Sequence, residues 1–220
     1  MRRALLLAAA ALAAACADDR APTAPSPGAS FSFFVTSVTS TTGNLGGLAG
    51  ADATCQRLAA AVGQGRRSWR AYLSVEHDLA MNNQLTHARD RIGAGPWYNA
   101  NLALVADSLA ELHARRGDAE VFVDERGQRI NGQWTGSPRP NEHDMLTGSN
   151  AGGTLIPGRT CADWTSASAA IASQVGHSDG FGPNQSTAGA LSSWNSAHTT
   201  QSCANTAPGG GAGRFYCFAR

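Results

Sequence analysis

Three histidines in the second half of the chain have neighbours of the kind used in catalysis or metal binding. They occur in His143-Asp144, His177-Ser178-Asp179 and His198. A histidine and an aspartate near Ser178 or Ser196 supply the groups that nucleophilic catalysis or a metal site requires, provided that their loops converge. No Gly-x-Ser-x-Gly elbow, His-Glu-x-x-His helix or phosphate-binding glycine loop accompanies them. Because such residues in long loops commonly bond to the backbone, the sequence alone assigns no catalytic residue and no metal ligand.

Five tryptophans offer a second kind of candidate, since an exposed ring can stack on a ligand. Trp69, Trp134 and Trp164 lie in predicted strands and are expected in the core. Trp97 and Trp194 are better placed to meet a ligand, although packing is favoured for them as well. The candidate ligand-binding residues are Trp97, Asn141, Glu142, His143, Asp144, His177, Asp179, Trp194, Asn195 and His198.

Composition favours one domain with long loops. Of the 220 residues, 42% are hydrophobic, which is enough for a core. Glycine is abundant, at 25 residues, and only 15% of the residues are charged, which disfavours a helical bundle. The net charge of +1 excludes a general nucleic-acid binder.

The N-terminus predicts export. Met1-Arg2-Arg3 precedes a run of alanine and leucine from Ala4 to Ala15, so residues 1–15 are predicted to be a signal peptide. The end of the run, Leu12 to Cys16, resembles a bacterial lipobox, in which Cys16 is lipidated. Leucine lies one position further out than usual, so plain secretion is the alternative. The segment 16–30 is then a lipidated cysteine and a proline-rich tether, and the predicted location is the cell envelope, on the outer membrane.

The domain, residues 31–220, is predicted to open with a strand over Phe31–Val38. A glycine-rich turn, Asn44–Gly50, leads into a helix with one apolar face, which presents Cys55 to the core. Ser68–Ser74 alternates as a second strand does. Ser108 and Glu111 form a capping box, which predicts a short helix starting near Ser108.

The rest of the domain is predicted to consist of short strands between glycine-rich loops. A hairpin is expected from Val121–Val123 and Gln128–Ile130. The clearest later strands are Cys161–Thr165 and Arg214–Phe218, and each carries a cysteine. Two segments, residues 176–194 and 208–213, are predicted to be loops because they contain few apolar residues. Four cysteines in an exported domain indicate two disulfides, and they allow three pairings.

Several of these pieces together resemble a C-type lectin-like domain. The resemblance is greatest to the endostatin branch and to uncharacterised bacterial lipoproteins, and it covers roughly Phe33 to Phe218. The segments that carry it are Gly47–Gly50, Trp69–Ser74, Asn131–Trp134, Leu146–Ser149, Cys161–Trp164, Gly176–Asp179, Ser193–His198 and Phe215–Cys217. It implies an α+β fold with two helices, short antiparallel strands, long loops and nested disulfides. The implied pairs are Cys55 with Cys217 and Cys161 with Cys203.

The ligand sites of the family are not carried over. Calcium-dependent lectins bind sugar through a Glu-Pro-Asn or Gln-Pro-Asp triplet and a Trp-Asn-Asp triplet. The corresponding segments here, Arg139-Pro140-Asn141 and Trp194-Asn195-Ser196, lack carboxylates. Calcium is therefore only a weak prediction, and no other cofactor is expected. Endostatin-like polyanion binding would use Arg66, Arg67 and Arg70, or Arg115-Arg116, although solvated arginines are the simpler interpretation. The histidine-rich N-terminal zinc segment of endostatin has no counterpart here.

The predicted function is binding rather than catalysis. We expect a lipid-anchored, monomeric envelope protein that recognises glycans, glycosaminoglycans or matrix-type proteins through its long loops. One alternative is a structural envelope protein, and another is a hydrolase that uses the loop histidines and aspartates.

Overall fold

The computed structural model describes residues 28–220. The predicted signal peptide, Cys16 and the tether up to Pro27 lie outside these residues. Within the described part of the chain, no helix is long and apolar enough to cross a membrane.

The chain forms a mixed α+β fold with few helices and short strands. In chain order the elements are β1 (Phe33–Val35), α1 (Gly47–Ala61), β2 (Trp69–Ala71), β3 (Val75–Asp78), β4 (Gln84–Thr86), β5 (Trp97–Tyr98), β6 (Leu104–Ala106), α2 (Leu109–Ala114), β7 (Asp144–Leu146), α3 (Cys161–Trp164), β8 (Gln174–His177), β9 (His198–Thr199), β10 (Gly211–Arg214) and β11 (Tyr216–Ala219).

The first sheet joins the two ends of the domain. Its strand order is β1-β11-β2, and both pairings are antiparallel. Phe33 lies opposite Phe218, and their rings pack edge to face at 4.8 Å. Large aromatic side chains on both faces of this sheet form the core, which explains why it can be built from strands of three or four residues.

Helix α1 packs on the first sheet and is bound to it covalently. Gly46 and Gly47 adopt left-handed φ values of 77° and 70°, which turn the chain into the helix. The predicted disulfides are both present: Cys55 pairs with Cys217, and Cys161 pairs with Cys203. Cys55 is fully buried, as its position on the apolar face indicated.

The second sheet has the order β10-β7-β8-β9. Strand β8 is antiparallel to both β7 and β9, whereas β10 runs parallel to β7. Two of its strands overlap segments predicted to be loops, because β8 reaches His177 and β10 starts at Gly211. These strands contain glycine where the backbones approach closely: a Cβ on Gly176 would lie 1.9 Å from the carbonyl oxygen of Trp194.

The predicted strand Cys161–Thr165 is wrong. Cys161, Ala162, Asp163 and Trp164 instead form a left-handed turn with φ between 51° and 65°. Left-handed helical residues other than glycine cost about 1–2 kcal/mol each. The disulfide to Cys203 and the carboxylate of Asp163 hold the turn in place, since that carboxylate accepts hydrogen bonds from the backbone N–H groups of residues 76 and 77.

Two further predictions concern short elements. The predicted short helix is confirmed as α2, and Ser108 Oγ caps it by accepting from the N–H of Glu111. The Glu111 carboxylate accepts from the N–H of Asp107, one residue before the N-cap. The predicted hairpin after Val121 is reduced to a single bridge between Val123 and Arg129. Asp124 explains this outcome, since its side chain accepts from two backbone N–H groups of the turn and shapes it locally.

Candidate metal centre

Strands β7, β8 and β9 bring three separate stretches of the chain to one end of the second sheet. Asp144 starts β7 and pairs with His177, the last residue of β8. His198 starts β9 beside Val175, two residues before His177, so both histidines lie on the same face as Asp144. His143 directly precedes β7, and its ring stacks on that of His177 at 4.3 Å.

The side chains converge on one oxygen atom. The Nε2 atoms of His143, His177 and His198 lie 3.3, 3.4 and 3.5 Å from Asp144 Oδ1. We call these four residues the His/Asp cluster. Three of its members, His143, Asp144 and His177, are buried and close enough together to hold a metal ion.

The hydrogen-bond partner of Nδ1 in each ring determines which of the two ring nitrogens carries the hydrogen. Nδ1 of His177 lies 2.8 Å from the carbonyl oxygen of Leu191, and Nδ1 of His198 lies 3.1 Å from that of Thr199. Carbonyl oxygens accept only, so both Nδ1 atoms carry hydrogen. His143 Nδ1 likewise donates to the Asp179 carboxylate at 2.8 Å. In the neutral rings, each Nε2 therefore presents a lone pair to Asp144.

When all three rings are neutral, the cluster therefore places acceptor atoms opposite acceptor atoms. Burial first, and the neighbouring His143 second, lower the pKa of His177 to about 4, so this ring is neutral at pH 7. His177 Nε2 and both carboxylate oxygens of Asp144 are buried and have no hydrogen-bond partner. Buried polar atoms without partners are costly in proteins, and one bound cation would satisfy several of these lone pairs at once.

The distances from the three histidines to Asp144 are compatible with ligands of one transition-metal ion. With metal–ligand bonds of about 2.0–2.1 Å, the ligand atoms of a tetrahedral zinc lie about 3.3–3.4 Å apart. The three N–O distances in the cluster, from 3.3 to 3.5 Å, match that edge length. Imidazole nitrogen suits zinc, copper, iron or nickel, whereas calcium takes six to eight oxygens. The weak calcium prediction therefore has no support at this site.

Outer hydrogen bonds fix the ligands. Burial alone would raise the pKa of Asp179, but the hydrogen bond and charge of His143 and the N–H groups of Gln133 and Phe181 outweigh it, so the pKa is lowered. An ionised Asp179 keeps the His143 ring oriented, as carboxylates behind metal-bound histidines do. Gly117 is also needed, because a Cβ there would lie 2.1 Å from the backbone oxygen of His177.

Access to the cluster is from one side. The side chains of His143, Asp144 and His177 are at most 2% exposed, whereas that of His198 is 33% exposed. The exposed Gly209 lies beside His198 and Asp144, close enough that a Cβ there would be 3.4 Å from Asp144 Oδ2. An ion would enter and leave between His198 and this glycine.

The other candidate ligand-binding residues are not members of the His/Asp cluster. The rings of Trp97 and Trp194 are 2% and 0% exposed, so they are core residues and cannot stack on a ligand. Asn195 is buried and donates to the hydroxyl of Tyr72. Asn141 and Glu142 are half-buried, and Glu142 forms an ion pair with Arg214. The carbonyl groups of Leu191 and Thr199, which accept from Nδ1 of His177 and His198, could not be predicted from the sequence, because every residue has a backbone carbonyl.

No protein-family model matches the chain, and none of the curated proteins compared with it is a significant match. The function is therefore inferred from the chemistry of the His/Asp cluster.

Metal affinity is expected to fall as the pH is lowered. The carboxylate of Asp144, 3.5 Å away, raises the pKa of His198, so a proton on His198 competes with the ion. His177, with a pKa of about 4, does not add to this competition until the solution is far more acidic. Below the pKa of His198, apparent zinc affinity should drop by about tenfold per pH unit for the proton displaced. Competition titrations across this range would measure the slope, and an affinity independent of pH would contradict the assignment of His198 as a ligand.

Proposed function

We propose that this protein binds one divalent transition-metal ion, zinc first of all, through Nε2 of His143, His177 and His198 and a carboxylate oxygen of Asp144. The observation that carries the proposal is the convergence of three imidazole nitrogens on one oxygen of a buried, unpartnered carboxylate. Zinc suits a set of three nitrogens and one oxygen, and it needs no redox partner.

The ion has a structural role in this proposal. Structural zinc sites use four protein ligands, whereas catalytic sites leave one position to water or substrate. His143, Asp144 and His177 form a buried group close enough to share an ion, and His198, whose Nε2 lies 3.5 Å from Asp144 Oδ1, is the candidate for the fourth ligand. This favours binding over the hydrolase alternative. An ion here would tie β7, β8 and β9 together, as the disulfides tie α1 and α3 to distant parts of the chain.

The second candidate function is recognition by a lipid-anchored envelope protein with a C-type lectin-like domain. The nested disulfides favour it, because they have the pairing that the resemblance implies. The buried tryptophans and the His/Asp cluster are not its contact surface, so a glycan or matrix-type ligand would have to meet exposed loop residues.

The test of metal binding is a competition titration of the metal-free protein with zinc and a chromophoric chelator. We expect one zinc per chain, and we expect His198→Ala to weaken binding by about 10²-fold or more, since one of four ligands is lost. His198 is the best ligand to remove because it is the most exposed, so the fold should tolerate the change.

His77→Ala is the matched control. The His77 side chain is 63% exposed and contacts Asp163, away from the cluster, so zinc affinity should stay within about twofold. Equal affinity in the wild type and His198→Ala, or equal losses in both variants, would refute the site. Turnover of ester or phosphate substrates that requires zinc would restore the hydrolase alternative.

A further inference from the structure

Large apolar side chains are exposed mainly on one hairpin. In the described residues, four are prominent: Leu79 is 89% exposed, Met81 58%, Leu85 54% and Leu104 40%. The first three lie on the β3–β4 hairpin, whose turn contains Leu79–Met81, and Leu104 lies on β6. Because these three lie together on one short hairpin, they offer a surface for contact with an apolar partner.

The hairpin tip carries no charge. From Leu79 to Thr86 the sequence is Leu-Ala-Met-Asn-Asn-Gln-Leu-Thr. The adjacent Asp78 is 9% exposed, and its carboxylate accepts hydrogen bonds from Ala80 N–H and the Thr86 hydroxyl. The tip can therefore enter an apolar or interfacial environment without burying an unpaired charge, which is the main cost of such a transfer.

The hairpin forms one wall of a groove of about 1040 Å³, and the N-terminus of α1 forms another. Ser68 and Arg220 also line this groove. The chain enters the domain close by, because Arg67 donates to the Ser30 hydroxyl and to the Phe31 carbonyl. Ser30 and Phe31, near the start of the described residues, thus lie next to Arg67, whose neighbour Ser68 lines the groove.

The length of that segment limits how far the domain can move from an anchor. Residues 17–30 lie between the lipidated Cys16 proposed above and the domain, and a fully extended chain spans at most about 3.6 Å per residue, or about 50 Å in total. A domain held within this distance meets the bilayer repeatedly. One lipid signal is commonly joined by a second contact in proteins that stay on a membrane.

We propose that the β3–β4 hairpin is a membrane-contact site, which inserts Leu79, Met81 and Leu85 into the headgroup region of a phospholipid bilayer. The proposal rests on the lipid anchor at Cys16 and is independent of the metal site. The acyl chains hold the protein, and the hairpin orients the groove face toward the membrane.

The test is vesicle flotation of the mature chain from Ala17 onward, which lacks only the acylated cysteine. The vesicles contain phosphatidylethanolamine with a minority of phosphatidylglycerol. We expect measurable flotation of the wild-type sequence. The combined substitutions Leu79→Ser, Met81→Ser and Leu85→Ser should reduce the partition coefficient by at least about tenfold, because the apolar contact area is lost.

Leu104→Ser is the control, since it removes an exposed leucine from a different surface and should leave partitioning within about twofold. If the triple variant unfolds, Leu79→Ser alone should still reduce partitioning, because that side chain is the most exposed. No flotation of the wild type, or equal flotation of the triple variant, would overturn the proposal. Concentration-dependent dimerisation that the triple variant loses, without flotation, would assign the hairpin to contact between two copies instead. Labelling Cys16 with a fatty-acid precursor tests the anchor separately.

Discussion

Replacing Asp144 with asparagine is expected to lower zinc affinity by about 10²–10³-fold. Structural zinc sites with four ligands have apparent binding free energies of about 10–16 kcal/mol at pH 7, so one ligand accounts for roughly 2.5–4 kcal/mol. An amide oxygen has no charge and is a poor substitute for a carboxylate at a transition metal. Isothermal titration in competition with a chelator measures this loss.

The same substitution is expected to have the opposite effect on the metal-free protein. Without an ion, Asp144 is a buried carboxylate whose two oxygens have no hydrogen-bond partner. An asparagine is neutral, and its NH₂ group can donate to the lone pair of His177 Nε2. Metal-free Asp144→Asn should therefore be as stable as the metal-free wild type or more stable, by about 1–2 kcal/mol.

Urea denaturation of both proteins, with zinc and with a chelator, tests the pair of effects. Zinc at 100 times its dissociation constant should add about 2.7 kcal/mol to the free energy of unfolding of the wild type, and much less to that of Asp144→Asn. A variant that is destabilised without metal and still stabilised by zinc would show that Asp144 is a packing residue. His77→Ala again serves as the control, since it alters a histidine outside the cluster.

Removing the Cys55–Cys217 disulfide is expected to lower the free energy of unfolding by about 5 kcal/mol in the chain-entropy view. The bond joins residues 162 positions apart and restricts almost the whole domain in the unfolded state. Because typical domains are stable by about 5–15 kcal/mol, Cys55→Ala with Cys217→Ala should leave little folded protein at elevated temperature.

The second disulfide provides the comparison. Cys161 and Cys203 are 42 positions apart, so their replacement by alanine should cost about 4 kcal/mol by the same reasoning. That loop contains both His177 and His198, so this variant should also lose zinc affinity in the folded protein. Thermal unfolding with and without zinc measures both effects. Equal stability of the wild type and the Cys55/Cys217 variant would contradict the role of the long bond.

Local signals in the sequence predicted part of the fold. The apolar face of α1, the alternation at β2 and the cap at Ser108 depend on neighbouring residues, and each is present. The left-handed turn at Cys161–Trp164 was missed because none of its residues is glycine. Tertiary bonds to distant residues, Cys203 among them, hold it in a conformation that its own sequence does not favour.

The His/Asp cluster was likewise predictable only in part, since its residues can be named from the sequence but their arrangement cannot. His143, Asp144, His177, Asp179 and His198 could all be named from residue type and spacing, but their common focus depends on how β7, β8 and β9 pair. A shift by one residue in either pairing would turn the histidines to the opposite face. The tautomers of His177 and His198 depend on backbone carbonyl groups, whose positions cannot be predicted from residue type.

The ligands of the proposed metal site come from three strands, β7, β8 and β9, that are far apart in the sequence. The unfolded chain holds only one adjacent pair of ligands, His143-Asp144, so a strong site exists only after the three strands have paired. All four cysteines of the domain are used in disulfides, and the cluster contains no thiol. Oxidation and metal loading therefore do not compete for the same side chains.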